Sequence, residues 1–291
     1  MTSTNSSPAK NFFILIFLAL IWGSSYILMK RGLVAFSAMQ VSALRIIISA
    51  IVLSPFLRKV SKKDIPFLVI TGFFGSGLPT FIYPIAITKI DSSVVGIINS
   101  LTPVFTLIFG ILLFKLKTNY LSILGMVISL IGATILILKG ESIQNLSINS
   151  FALFAVLAPM FYGLSSNILK SKLNHIQALR LTAFTFVIML PFALVLLFNT
   201  DFLAVMSAHP KAYTSLGYIS ILAILGTAFA LVLFNYLIKR TTAVYAASVT
   251  FIMPIIVLMW GVFDGENIGL AHFLALSLIL MGVYVLNFKK K

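Results

Sequence analysis

Apolar runs of about 20 residues, the length of a membrane-crossing helix, follow one another along almost the whole of this 291-residue chain. Ten such spans can be drawn: Phe12–Met29, Ser37–Leu57, Ile65–Ile87, Val94–Phe114, Asn119–Leu138, Phe151–Leu169, Ala178–Phe198, Leu216–Ile238, Val244–Phe263 and Gly269–Phe288. Strands of a membrane barrel are about half that length and alternate in polarity, so the expected fold is all-α and membrane-embedded. Composition agrees. Only 9% of residues are charged, against about 25% in a soluble domain, so the chain cannot cover itself with polar surface. A lipid bilayer is its solvent, and helices are the open-ended structure that satisfies the backbone there.

The first five spans recur as the second five. Pro103 and Gly110 return 151 residues later as Pro254 and Gly261, and the same offset pairs Gly75 with Gly226 and Lys89 with Arg240. An offset of 140 pairs Gly23 with Gly163 and Lys30 with Lys170, and one of 135 pairs Ala43-Leu44-Arg45 with Ala178-Leu179-Arg180. The offset changes only between spans, where insertions are cheap. A unit with an odd number of crossings must enter the membrane upside down when repeated. The expectation is two inverted five-helix repeats, residues 1–140 and 141–291, joined near Lys139–Ser150. Inverted repeats of this kind build transporters around a site at mid-membrane.

The net charge of +15 first suggests a nucleic-acid partner. The cations, however, sit in short clusters between spans, as loops on the cytoplasmic side do. With the N-terminus inside, inner segments hold Lys10, Arg58, Lys59, Lys62, Lys63, Lys115, Lys117, Lys170, Lys172, Lys239, Arg240 and Lys289 to Lys291, 14 in all. Outer loops hold 5, namely Lys30, Arg31, Lys89, Lys139 and Lys211. The expected topology is therefore multi-pass in the cell membrane with both termini cytoplasmic, and no nucleic acid is expected as a partner. The first span carries features of a signal peptide, but its Trp22-Gly23-Ser24-Ser25 has a counterpart in Tyr162-Gly163-Leu164-Ser165-Ser166, so it is expected to be retained.

Charge inside a span is costly and marks function. Two residues qualify, Arg45 and Arg180, at matching positions. They read either as gating or anion-attracting residues, one per face, or as side chains snorkelling to headgroups. No Asp or Glu lies deep in a span, and His175, His209 and His272 fall in loops or at span edges. The sequence has no cysteine and shows neither metal-ligand spacing nor a phosphate loop, so no cofactor and no enzymatic chemistry are expected.

Uncharged polar and aromatic residues remain as candidates to line a substrate cavity: Trp22, Tyr83, Asn99, Ser100, Tyr162, Asn235 and Thr250. Ser25 and Tyr26 belong to the same polar and aromatic set. Asn99 precedes Pro103 by four residues and Thr250 precedes Pro254 by four. A proline leaves the carbonyl four residues earlier without its donor, so Pro103 and Pro254 are expected as helix breaks that open polar groups toward a cavity. The alternatives are that these groups bond between helices and that Trp22 simply packs. A stripe of Gly125, Ser129 and Ala133 allows close helix approach, either inside one molecule or at a dimer face, so monomer and homodimer both stay open.

Trp22-Gly23-Ser24-Ser25, Ala43-Leu44-Arg45, Ala86 through Ser93, Pro103 with Gly110, Gly125 with Gly132, Pro254, Gly261, Gly265-Glu266 and Gly282 together resemble the drug/metabolite transporter superfamily, in its EamA-type ten-span branch. The resemblance covers essentially the whole chain. It implies a central cavity framed by spans three, four, eight and nine, with one and six contributing, and export of a small metabolite such as an amino acid or related compound. The chain departs from the pattern at Lys115, where the first repeat often carries an acid matching Glu266. Two alternatives are a nucleotide-sugar or sugar-phosphate exchanger of the same superfamily, which would want more cations than Arg45 and Arg180, and a non-transporting membrane scaffold.

Overall fold

The computed structural model describes residues 8–138 and 150–287. Among these the chain is helical throughout and has no strand. The expected linker Lys139–Ser150 up to its last residue, the boundary between residues 140 and 141, and Lys289 to Lys291 lie outside the described residues.

Ten helical rods follow the predicted spans. The first is Pro8–Gly32, the second Ala38–Phe56, the third Lys62–Ile87 and the fourth Ser92–Phe114. The fifth is Tyr120–Leu138, the sixth Ser150–Lys172, the seventh Ala178–Phe198 and the eighth Ala212–Arg240. The ninth is Ala243–Phe263 and the tenth Leu270–Asn287. Eight of these are long and apolar enough to cross a membrane; the fifth and tenth contribute shorter apolar stretches, Tyr120–Gly132 and Leu270–Gly282. Between the seventh and eighth rods lies a short helix, Phe202–Ala208.

Four rods change helix type in their interior. The third passes through a π-helical stretch, Phe73–Gly77, and the eighth through another, Leu222–Phe229. The fourth and ninth each tighten into a 3₁₀ turn, Asn99–Leu101 and Ser248–Phe251. Pro103 and Pro254 then sit in the first turn of the following helices, Thr102–Phe114 and Met253–Phe263. A missing N–H costs nothing at that position, so each proline starts a new helix rather than kinking an old one.

The halves interlock by matched contacts. The second rod packs on the seventh, the fifth on the tenth, the first on the eighth and ninth, and the sixth on the third and fourth. Glycines at the π stretches permit two of these crossings. A Cβ at Gly75 would lie 2.2 Å from Ser165 Oγ, and one at Gly226 would lie 2.6 Å from Ser25 Oγ. The small-residue stripe on the fifth rod is an internal contact: a Cβ on Gly282 of the tenth rod would meet Gly125 O and Ser129 N at 2.5 Å. The side chain of Ala133, the third residue of that stripe, lies outside the described residues. Large apolar side chains such as Leu112, Phe198 and Phe263 project outward, as lipid-facing residues do, while Leu18, Leu101, Phe186 and Ile219 are fully buried between rods.

Candidate functional site

Where the first, second, third, fourth, sixth, eighth and ninth rods converge, they enclose a cavity of about 50 Å³. That is room for a few waters and less than the few hundred Å³ of a ready small-molecule site, so the rods are drawn together here. The cavity's wall repeats in part under the sequence offsets. Tyr83 and Phe234 both line it, as do Asn99 and Thr250, Thr102 and Met253, and Trp22 and Tyr162. Tyr26, Met29, Arg45, Gly226 and Leu231 also line it. Their counterparts Ser166, Leu169, Arg180, Gly75 and Thr80 are absent from this wall.

The aromatic part is a chain of rings. Tyr26 and Tyr83 lie 5.7 Å apart by centroid, Tyr83 and Tyr162 6.3 Å, and Trp22 and Phe234 5.0 Å. Trp22 Nε1 donates to Gly226 O at 2.9 Å, a carbonyl in the π stretch of the eighth rod. Tyr83 donates its hydroxyl to Asn99 Oδ1, which also accepts from Thr102 Oγ1 at 3.1 Å.

The carbonyls expected to be freed by the prolines are recaptured. Thr102 Oγ1 donates to Asn99 O at 2.7 Å, and Ser100 Oγ donates to Thr250 O at 2.9 Å. An unpaired carbonyl in a dry interior is expensive, and a nearby hydroxyl is the cheapest remedy. The polar lining therefore comes from side chains, not backbone. Ser100 itself stands behind the wall, as does Asn235, whose Nδ2 donates to Thr182 Oγ1 at 2.9 Å. Both are buried between rods and neither reaches the cavity.

The two arginines part company. Arg45 is 6% exposed and borders the cavity. Its Nε and Nη2 donate to Thr227 Oγ1 at 3.4 and 3.2 Å, and its Nη1 approaches Met29 Sδ at 3.4 Å. It does not snorkel. Arg180 lies in a separate recess with Lys59, Lys63, Asp64 and His175 at the end of the molecule that also carries Lys170.

Polar ties close both ends. At one, Glu266 Oε1 accepts from Lys30 Nζ at 2.9 Å and Ser92 Oγ at 2.6 Å, and Oε2 accepts from Ser93 N at 3.1 Å. Burial alone would raise this carboxyl; the hydrogen bonds from Ser92, Ser93 and Lys30 outweigh it and hold it down at about 2. Asp264 pairs with Lys30 and Arg31 beside it. At the opposite end Asp64 Oδ2 meets His175 Nε2 at 3.0 Å between the halves, and lysines hold carbonyls within the second half. Lys170 Nζ donates to the carbonyls of Ile238, Lys239 and Thr241 at 2.9, 3.1 and 2.6 Å. Lys239 Nζ reaches back to Leu173 O at 2.8 Å. The ninth rod starts on Thr242, whose Oγ1 accepts from Tyr245 N at 3.0 Å.

Sequence inspection missed Thr102, Met253, Phe234, Met29, Leu231 and Gly226 in this wall. The 151-residue offset held the signal for two of them, since it pairs Phe234 with Tyr83 and Met253 with Thr102.

Comparisons with known proteins agree with this architecture. The EamA-like transporter family matches twice, over residues 10–138 and again over 149–288. An uncharacterized transporter of Archaeoglobus fulgidus is 22% identical, covering 97% of this chain and all of its own. The uncharacterized transporter YoaV of Bacillus subtilis is 25% identical over 94% of this chain and 95% of its own. The uncharacterized inner membrane transporter YedA of Escherichia coli is 26% identical over 94% and 89%. A solved crystal structure shares the fold, with a TM-score of 0.67 at 16% identity over 97% of this chain and 98% of that one. A chain matched by one family over both halves, and built of apolar rods around a polar mid-span cavity, belongs to the EamA-like transporter family and is a multi-pass membrane transporter.

Proposed function

We propose that this chain exports a small metabolite, an amino acid or related compound, by alternating access. Its working parts are two inverted five-helix repeats, residues 1–140 and 141–291, of ten spans in the inner membrane with both termini cytoplasmic. The observation that carries the proposal is the central cavity, to which both halves contribute residues at matched positions. The double family match and the recurring rod contacts support the repeats. The bias of 14 inner to 5 outer cations supports the orientation, and YedA's description as an inner membrane protein supports the location.

In this conformation both ends are tied, one through Glu266 and the other through Lys170. The Glu266 tie joins the first and fourth rods to the other half, so opening at that end requires its release, whereas the Lys170 tie stays within the second half, fixing the sixth rod to the end of the eighth. Among the described residues no carboxylate or imidazole lines the cavity. Arginine does not release a proton at working pH, and Glu266 is ionised and bound at one end. The reading is therefore facilitated diffusion or exchange, with no proton carried. A doubly charged sugar phosphate would find one cation in the cavity, which disfavours the exchanger alternative.

The test is an untargeted comparison of metabolites retained by cells with and without the chain, followed by counterflow of the accumulating compound in liposomes. A compound that accumulates without the chain and exchanges only when the chain is present supports the proposal. Identical metabolite profiles together with no counterflow overturn it.

A further inference from the structure

We infer that the central cavity is an organic-anion site, in which Arg45 receives one carboxylate and the tyrosine wall holds an apolar or aromatic body. The inference rests on the carrier reading above and narrows its substrate.

A guanidinium has five N–H donors. Arg45 spends them on one hydroxyl and one thioether, although it is almost wholly buried. The Thr227 hydroxyl is itself committed, donating to Leu222 O at 3.0 Å. Every ion pair among the described residues lies elsewhere, on Lys30, Arg31 or His175. A buried cation without a counter-charge is strongly unfavourable, and a planar fork is the geometry that a carboxylate satisfies with two parallel hydrogen bonds. Arg45 shares the cavity wall with Tyr26, Tyr83 and Tyr162, whose rings offer an apolar face, although the Tyr83 hydroxyl is already given to Asn99 Oδ1.

The cavity's charge also separates anions from zwitterions. With no carboxylate in its wall, the ammonium of an amino acid would lack a partner of opposite charge. A monoanion with an apolar body leaves nothing unpaired. The asymmetry points the same way: Arg180, the counterpart of Arg45, is outside this wall, so one cation is offered and one negative charge is matched.

The experiment uses purified protein carrying Trp260→Phe, so that Trp22, which lines the cavity, is the sole tryptophan. The probes are phenylacetate, its neutral amide, phenethylamine and phenylalanine. Phenylacetate should quench Trp22 with a Kd at least tenfold below that of the amide or the amine. Arg45→Gln should abolish that preference and Arg45→Lys should keep part of it. Equal binding of the amide, no response to phenylacetate, or an unchanged preference in Arg45→Gln overturns the inference. If the Gln variant does not fold, the ranking in the Arg45 protein decides. Counterflow of the same probes separates the two failures. Exchange of phenylalanine or phenethylamine but not phenylacetate leaves a carrier and removes the anion site. The expected binding order with no exchange of any probe leaves the anion site and removes the carrier.

Discussion

Arg45 and Arg180 occupy the same place in the same tripeptide, yet one closes on a cavity and the other lies in a recess at one end of the molecule. The difference originates in depth: Arg45 is the eighth residue of the helix that starts at Ala38, and Arg180 only the third of the one that starts at Ala178. Arg45 meets Thr227, whose hydroxyl is presented by the π stretch of the eighth rod. The residue matching Thr227 is Ser76, and it donates to Thr185 Oγ1 at 3.5 Å, the residue that stands as deep in the seventh rod as Arg45 does in the second. A shared tripeptide thus does not fix a shared depth, and depth decides which arginine reaches the cavity.

The sharpest way to break this comparison is to neutralise each arginine in turn. Truncating one partner of a buried, hydrogen-bonded charge pair costs about 2–5 kcal/mol, so Arg45→Gln should lower counterflow by about 30-fold or more. Arg180→Gln should stay within about twofold of the unmodified chain. Equal losses would show that position in the repeat, not contact with the cavity, sets the role.

The two ends of the molecule differ in a second measurable way, because one is tied by the buried carboxylate of Glu266 on a lysine and two serines and the other by Asp64 on an exposed histidine, with lysines on carbonyls beside it. Glu266 is held at about 2, below its ordinary value of 4.5. A carboxyl depressed by folding contributes stability that is present above its unfolded pKa and lost as pH falls through the folded one. Melting of the purified protein should therefore lose on the order of 2 kcal/mol between pH 4.5 and about 2, after allowance for solvent screening. Glu266→Gln should remove that part of the pH dependence. An unchanged acid limb in the variant would mean that the Glu266 tie does not hold this end.

A smaller effect separates the matched pair in the cavity. Asn99→Leu removes the acceptor of Tyr83 and Thr102, whereas the hydroxyl of Thr250 donates to Ala247 O at 2.9 Å within its own turn. Losing a buried hydrogen-bond partner costs about 1–3 kcal/mol, so Asn99→Leu should slow counterflow about tenfold and Thr250→Leu less. The reverse order would move the polar centre to the ninth rod. The mildest test leaves function alone. The chain has no cysteine, so Ser207→Cys and Lys117→Cys can be labelled singly in intact cells. Ser207→Cys should react with an impermeant reagent and Lys117→Cys only after lysis, with transport unaffected in both; the opposite pattern reverses the orientation.

Much of this was legible beforehand, and the illegible part has physical causes. Rod positions follow from apolar length, and Ala178–Phe198 matches its span residue for residue. The pairing of Asn99 with Thr250 and of Trp22 with Tyr162 could be read from the offsets. The π stretches could not, because i→i+5 bonding needs no change in composition; Gly75 and Gly226 mark the spots only in retrospect. Nor could the fate of the proline-freed carbonyls, since Thr102 and Ser100 are hydroxyls like a dozen others until the chain folds them against Asn99 O and Thr250 O. The short helix Phe202–Ala208 was hidden by its brevity.

The isolation of Arg45 from any acid has an electrical consequence. On the organic-anion reading, a cation fixed in the protein stays behind when its bound anion leaves, so each turnover of facilitated diffusion would move one net negative charge through the bilayer, and an exchange of like anions none. A membrane potential of 100 mV acts on such a charge with about 2.3 kcal/mol, roughly a 50-fold bias in distribution. In a cell that is negative inside, that bias points outward. The chain would then behave as a current-carrying valve, with the direction of export set by voltage and no ion borrowed to drive it.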